Sequence, residues 1–369
     1  MLQTGFINSA HSDLVTCAAY DYYGLKLATC GLDQRICVWS LDEEEEEEGK
    51  GKGKWVLKDE WKAHDAPISH LAWAHPEFGD VLASAGFDRT VKIWERQIRA
   101  GWQETAVLLD ARGSTRQVEF APNVFGLKVA VVSTDGYLRV YDCLDQTRLD
   151  AWALAEQVDL SPPIRVEEQA ATQGVSTPEI PTVVNREADS GWSLSWCKDR
   201  YWGQLVACVA GPTGVVKIIQ FSPSRTPQTV LKLESAATVT SVSWAPSCGR
   251  SYHLLATGGK DGHVRIWKVD GPIIDEQEEE AFDDTDEDEH ISRKTWSAQL
   301  VADFDDHANL GTQVGGVVGK VEWNVTGTIL SSSGSDGRVR LWKATSTSAG
   351  RIWRIAGSVG VEQRVEGEE

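Results

Sequence analysis

The chain has 369 residues, 41% of them hydrophobic, and a formal charge of −19. It is long enough for a sizeable core, and it lacks the basic field that nucleic acid or anionic lipid would need. The acidity is local: residues 42–48 and 275–289 hold most of the excess carboxylates, and the remainder is close to neutral.

Taken in order, the chain repeats one pattern of short apolar strands separated by tight turns. Residues 11–63 open on His11, then place Thr29, Asp33 and Trp39 at fixed offsets, the Asp in a turn and the Trp closing the next strand. Residues 64–110 repeat this as His64, Ser84, Asp88 and Trp94; residues 111–156 keep Asp135 but carry Tyr141 and have no His. Residues 190–234 are a worn copy with Thr213 in the turn. Residues 235–269 bring Thr257, Asp261 and Trp267, and residues 296–357 bring His307, Ser332, Asp336 and Trp342. His307 stands further from its strand than His11 and His64 do, so the register there is open. Five Asp-to-aromatic pairs at one spacing, with a hydroxyl four residues before the Asp in four of them, define the buried polar tether of a WD40 blade. The expected fold is therefore all-β: one six-bladed WD40 propeller, with blade three more weakly tethered.

Segments 42–54, 157–189 and 270–295 are polar, acidic or Pro-rich and are expected as disordered insertions, with a disordered tail at 358–369. Ser161, Thr177 and Thr285 are weak candidates for phosphorylation. Seven cysteines, odd in number and without a CxxC pair, read as free thiols of a reducing compartment. The N-terminus lacks a basic start and an apolar run, and no stretch approaches the ~18 apolar residues of a membrane span, so a soluble intracellular protein is expected.

An enzyme needs a constellation, and none of the usual nucleophile, phosphate-loop or zinc patterns occurs. The turn carboxylates repeat with the blades and read as structural. No catalytic residue, cofactor or metal ligand is assigned.

Longer strings carry a resemblance beyond the generic repeat: AAYDYYGLKLATCGLDQRICVW, EWKAHDAPISHLAWAHPEFGDVLASAGFDRTVKIWE, FAPNVFGLKVAVVSTDGYLRVYD, SWAPSCGRSYHLLATGGKDGHVRIWK and WNVTGTILSSSGSDGRVRLWKAT. They resemble the small propeller nucleoporins of the Seh-one type, including Tyr22, Gly24, Pro76, Glu77, Gly79 and the Trp323-Asn324 pair. The resemblance implies a scaffold subunit of the Y-shaped outer-ring complex of the nuclear pore, supporting nucleocytoplasmic transport. It also implies a place in a SEA-type complex at the vacuole or lysosome that regulates TOR signalling. A helical-solenoid nucleoporin would be the partner, donating a blade in trans to an open ring.

The sequence adds support of its own, because RIWRIAGS already supplies the last outer strand and leaves sheet edges to be filled. Phe6 and Ile7 on one edge and Ile352, Trp353 and Ile355 on the other are the candidate partner contacts; pairing of Phe6 and Ile7 with blade six in cis is the alternative. Competing readings are a WD40 adaptor for a short peptide, the sister propeller of vesicle coats and, more weakly, a propeller enzyme.

Overall fold

The computed structural model describes residues 7, 10–42, 54–146, 148–160, 191–222, 225–271, 296–305, 316–347 and 350–360. Phe6, His307, Ser161, Thr177, Thr285 and nearly all of both acidic runs lie outside them. The described chain forms six four-stranded antiparallel sheets, each built from four consecutive strands.

Blade one is β1 (Val15–Tyr20), β2 (Lys26–Gly31), β3 (Arg35–Asp42) and β4 (Lys54–Lys62). Blade two is β5 (Ile68–Trp73), β6 (Val81–Gly86), β7 (Val91–Gln97) and β8 (Gly101–Leu108). Blade three is β9 (Thr115–Phe120), β10 (Lys128–Ser133), β11 (Tyr137–Cys143) and β12 (Trp152–Asp159). Blade four is β13 (Ser193–Trp196), β14 (Gln204–Val209), β15 (Val215–Ser222) and β16 (Arg225–Glu234). Blade five is β17 (Val239–Trp244), β18 (His253–Gly259), β19 (His263–Asp270) and β20 (Ser297–Asp305). Blade six is β21 (Val318–Trp323), β22 (Ile329–Gly334), β23 (Arg338–Thr347) and β24 (Gly350–Gly360).

Strands reach further than the polar composition suggests. Asp42 pairs with Lys54, Tyr137 with Asp159, Asp270 with Ser297 and Arg338 with Gly360, so the insertions and tail expected at 42–54, 157–189, 270–295 and 358–369 all begin or end inside strands. A charged side chain at a strand end can point to water while its backbone stays in the ladder, and side-chain polarity hides this from the sequence.

The second-to-third-strand turns are Asp-Gly in blades three, five and six, with Gly136, Gly262 and Gly337 left-handed at φ 88, 81 and 71. Gln34 and Arg89 hold the same left-handed conformation in blades one and two, where a side chain makes it less favourable.

The core is a set of wedges between neighbouring blades. Separate apolar clusters join blades one and two, two and three, three and four, four and five, and five and six. A sixth cluster, Leu27, Cys37 and Trp39 with Ile7, Ala10, Trp55 and Leu57 against it, draws on blade one and the residues just before it. Among the described residues no cluster joins blade six to blade one.

Candidate functional site

The tethers take two forms. In blade two, His64 stands between Asp88 and Ser84, with Nδ1 2.8 Å from the carboxylate and Nε2 2.7 Å from the hydroxyl; the Trp94 indole donates to the same hydroxyl at 2.9 Å. His11, Asp33, Thr29 and Trp39 repeat this relay in blade one at 3.0, 2.9 and 3.1 Å. The sequence pattern suggests that His and hydroxyl converge on the Asp; instead the His is the link, and the hydroxyl reaches only His and Trp. Burial pushes the Asp88 carboxyl up, but hydrogen bonds and charge from His64, with bonds from Thr90, outweigh it and hold it far below the usual carboxylate range.

Blades three, five and six use arginine. Arg139 meets Asp135 at 2.7 Å, Arg265 meets Asp261 at 2.6 Å and Arg340 meets Asp336 at 2.5 Å, each Arg four residues after its Asp and buried. Asp135 is also bonded by Ser133 and by the Arg112 backbone N–H, so blade three has no missing anchor where a weak tether was expected. Burial again pushes Asp135 and Asp261 up and the Arg hydrogen bonds pull them below the usual range. The indoles of Trp267 and Trp342 donate to Thr257 and Ser332 at 3.2 and 2.8 Å, while Tyr141 is buried in the apolar wedge between blades two and three. Blade four has Lys217 at the Arg position, donating to the Leu160 carbonyl at 2.9 Å, and the Thr213 hydroxyl donates to the Ala210 carbonyl nearby.

These carboxylates are engaged inside their own blades, which is a structural use. Among the described residues no group of three or more His, Cys, Asp or Glu is placed to hold a metal ion, and no helix is long and apolar enough to cross a membrane. All seven cysteines are free, five of them buried. A cavity of about 130 Å³ between blades one and two is lined by Lys26, Lys58, Arg96, Trp39 and Trp102. Its cations already face Asp80, Asp42 and Asp59.

The surface that stands apart is formed by the inner strands. Counting each inner strand from one to six, with Trp196 of the four-residue β13 taken as position six, positions one, four and six face the preceding blade. They are buried at Ile68 and Leu71, Thr115, Val118 and Phe120, Val239, Val242 and Trp244, and Val318, Val321 and Trp323. In blade one the same positions are exposed: Val15 is 47% and Tyr20 59% accessible, and Ala18 is open as well.

Blade six is uncovered on its opposite side. Leu254, Ala256, Val264 and Ile266 of blade five are at most 5% exposed, whereas their blade-six counterparts Ile329, Ser331, Val339 and Leu341 are half-buried or exposed. Lys320 and Glu322, at positions three and five of β21, are open and face each other at 3.4 Å.

Of the expected contacts, Ile352 and Ile355 are exposed on β24, and Ile7 packs on blade one. Trp353 differs: its ring meets Trp323 edge-on at 5.5 Å and joins the wedge with blade five, so it points away from the opening. The reason is register, since Trp353 pairs with Ala344 on the side of the sheet that covers Trp323; Ile355, paired with Trp342, lies on that same side, which leaves Ile352 as the expected contact of β24 that faces the opening.

Six blades of four strands with tethered turns define a WD40 propeller whose first and last blades each present an uncovered face. The WD domain, G-beta repeat model matches residues 3–40, 55–95, 225–268 and 299–343. The chain is 35% identical to nucleoporin SEH1 of Saccharomyces cerevisiae, in an alignment covering 92% of this chain and 95% of that protein. It is 34% identical to that of Schizosaccharomyces pombe, over 98% and 97%, and 32% identical to the human protein, over 92% and 84%. The chain belongs to the nucleoporin SEH1 family. Among solved structures, Sqt1 of Chaetomium thermophilum bound to the N-terminus of ribosomal protein L10 superposes with a TM-score of 0.59 at 18% identity, covering 96% of this chain and 77% of that one; the likeness is one of fold.

Proposed function

We propose that the chain is a non-enzymatic scaffold subunit of the outer-ring Y-complex of the nuclear pore, completed by a blade from a helical-solenoid nucleoporin. In this reading it sits at the nuclear envelope without spanning it and supports nucleocytoplasmic transport. A second pool belongs to a SEA-type complex held peripherally at the vacuole or lysosome, where it serves TOR signalling.

The observation that carries the reading is the pair of uncovered faces on blades one and six in a chain of this family. Exposed apolar sheet faces are costly to leave bare and are the usual seat of strand or sheet addition. The apolar groups there, Val15, Tyr20, Val339 and Ile352, would bury against the incoming blade. The experiment is purification of the tagged chain from its own cells under gentle salt, with mass spectrometry of what accompanies it. Helical scaffold nucleoporins are expected in fixed stoichiometry; recovery of the chain alone, or with short-peptide ligands only, would overturn the assignment.

A further inference from the structure

Three of the five closed boundaries, three to four, four to five and five to six, share a directional hydrogen-bond code, and it specifies what the open boundary accepts. Side chains at positions three and five of one inner strand bind the backbone of the next inner strand at its positions four and six. From blade three to four, Gln117 accepts the Leu194 N–H at 3.1 Å and donates to the Leu194 carbonyl at 3.0 Å, and the Glu119 carboxylate accepts the Trp196 N–H at 3.0 Å. From four to five, Ser193 accepts the Val242 N–H and Ser195 the Trp244 N–H, at 3.1 and 3.0 Å. From five to six, Ser241 accepts the Val321 N–H at 3.2 Å. The indole at position six reaches back in return: Trp73 donates to the Ala19 carbonyl, Trp196 to that of Glu119 and Trp323 to that of Ser243.

On β21 these two reading positions are Lys320 and Glu322, with no hydrogen bond across to β1 among the described residues of the two strands. Glu322 repeats the residue type of Glu119, whose carboxylate closes the seam to blade four. Lys320 cannot accept, because an ammonium has no lone pair, but it can donate as Gln117 does to the Leu194 carbonyl. At the other wall, Tyr20 holds the aromatic position and has no preceding carbonyl to face.

We propose that Glu322 and Lys320 read the backbone of the inner strand of an incoming β-blade, Glu322 accepting the N–H of its sixth residue and Lys320 donating to the carbonyl of its fourth. This deepens the scaffold reading and rests on it. The occupant is a blade carried by another chain. Its inner strand ends in an aromatic residue that lies over blade six and donates to the Glu322 carbonyl if it is Trp, and it carries small polar residues at positions three and five towards Val15, Ala18 and Tyr20. In the free chain Lys320 and Glu322 satisfy each other, and binding exchanges that exposed ion pair, which contributes little, for charge-assisted bonds to backbone.

The test uses the full chain and, as probe, the blade-donating subunit recovered with it from its own cells and identified by mass spectrometry. Binding of Glu322→Ala, Glu322→Gln, Lys320→Met and the distant control Glu77→Ala is compared by calorimetry, after melting curves show each variant folded. Glu322→Ala should weaken binding about ten- to hundredfold, the range for a lost hydrogen bond to a charged group. Glu322→Gln should stay within about fivefold of wild type, because its amide oxygen still accepts as Gln117 does. Lys320→Met should lose several-fold, and Glu77→Ala should bind as wild type. If wild type captures the subunit and Glu322→Ala holds it equally well, the seam assignment is wrong while the scaffold reading stands. If Gln fails as badly as Ala, backbone reading by an acceptor is wrong. If wild type captures no such subunit, the scaffold reading falls first and takes this inference with it.

Discussion

At the scale of single residues, the tether chemistry has a thermodynamic signature. Asp88, Asp135 and Asp261 all have carboxyls held below the usual range, by His64 in the first case and by Arg139 and Arg265 in the others. A folded-state value below the unfolded one, which lies near about 4, gives stability that is present above that pH and is lost as the pH falls through the folded value. Melting should therefore decline steeply below pH 4, and the decline should be shallower in Asp88→Asn than in wild type, as scanning calorimetry across pH 3–6 would show.

Arg139→Met strands a nearly buried carboxylate and should cost about 3–5 kcal/mol in chemical denaturation. Thr213→Ala, which loses one local hydroxyl bond, should cost under about 1 kcal/mol. Equal losses would show that the Arg pairs do not anchor their blades.

The His and Asp of blade two could be read from the sequence because both recur at fixed offsets from a Trp. The three arginines could have been found by the same comparison: DGYLRVY, DGHVRIW and DGRVRLW each place Arg four residues after Asp, and Cys37 and Lys92 take that place in the two blades whose tether runs through a His. They were missed because a charged residue at alternate strand positions reads as an outward-facing one, and only the pairing to Asp reveals burial.

At the scale of elements, β3 and β4 stay paired to their ends beyond a bulge at Val38/Trp39, and there Asp42 and Lys54 are partners and Lys58 reaches back to Asp42 at 3.1 Å. Partnered strand ends can be joined by a two-residue Asn-Gly turn. Replacing residues 43–53 by such a turn shortens the loop to be closed and should leave melting unchanged or slightly raised. A marked fall would show that these residues contribute packing.

The seams were illegible at this scale for a geometric reason. Glu119, Ser195 and Glu322 alternate with apolar residues as any half-exposed strand would, and their function depends on knowing which strand lies innermost and which blade stands beside it. Trp353 shows the converse error: an apolar residue on the last strand was assigned to the opening, but the register turned it towards blade five.

At the scale of the whole molecule, the same sequence position has opposite consequences depending on its blade. Trp196 is fully buried against blade three, while Tyr20, its counterpart in blade one, is 59% exposed with its ring against Trp55 of its own blade. Trp196→Ala should cost about 3–5 kcal/mol in the isolated chain, as large aromatic deletions in a core do. Tyr20→Ala should cost under about 1 kcal/mol there but should impair partner capture. A large melting loss for Tyr20→Ala in the free chain would mean that blade one is covered from within.

The directional seams also separate the opening from the order of the chain. Each blade owns its four strands, so connectivity does not decide where the propeller is interrupted; Lys320, Glu322, Tyr20 and the uncovered faces around them do. A circular permutant starting at blade three, with Gly360 linked flexibly to Ile7, would still carry its slot between the old last and first blades. Its new ends would lie at a seam that Ser69, bonded to the Thr115 carbonyl, and the apolar wedge between blades two and three already hold shut. The uncovered slot of this propeller is written in side chains and would survive rearrangement of the backbone.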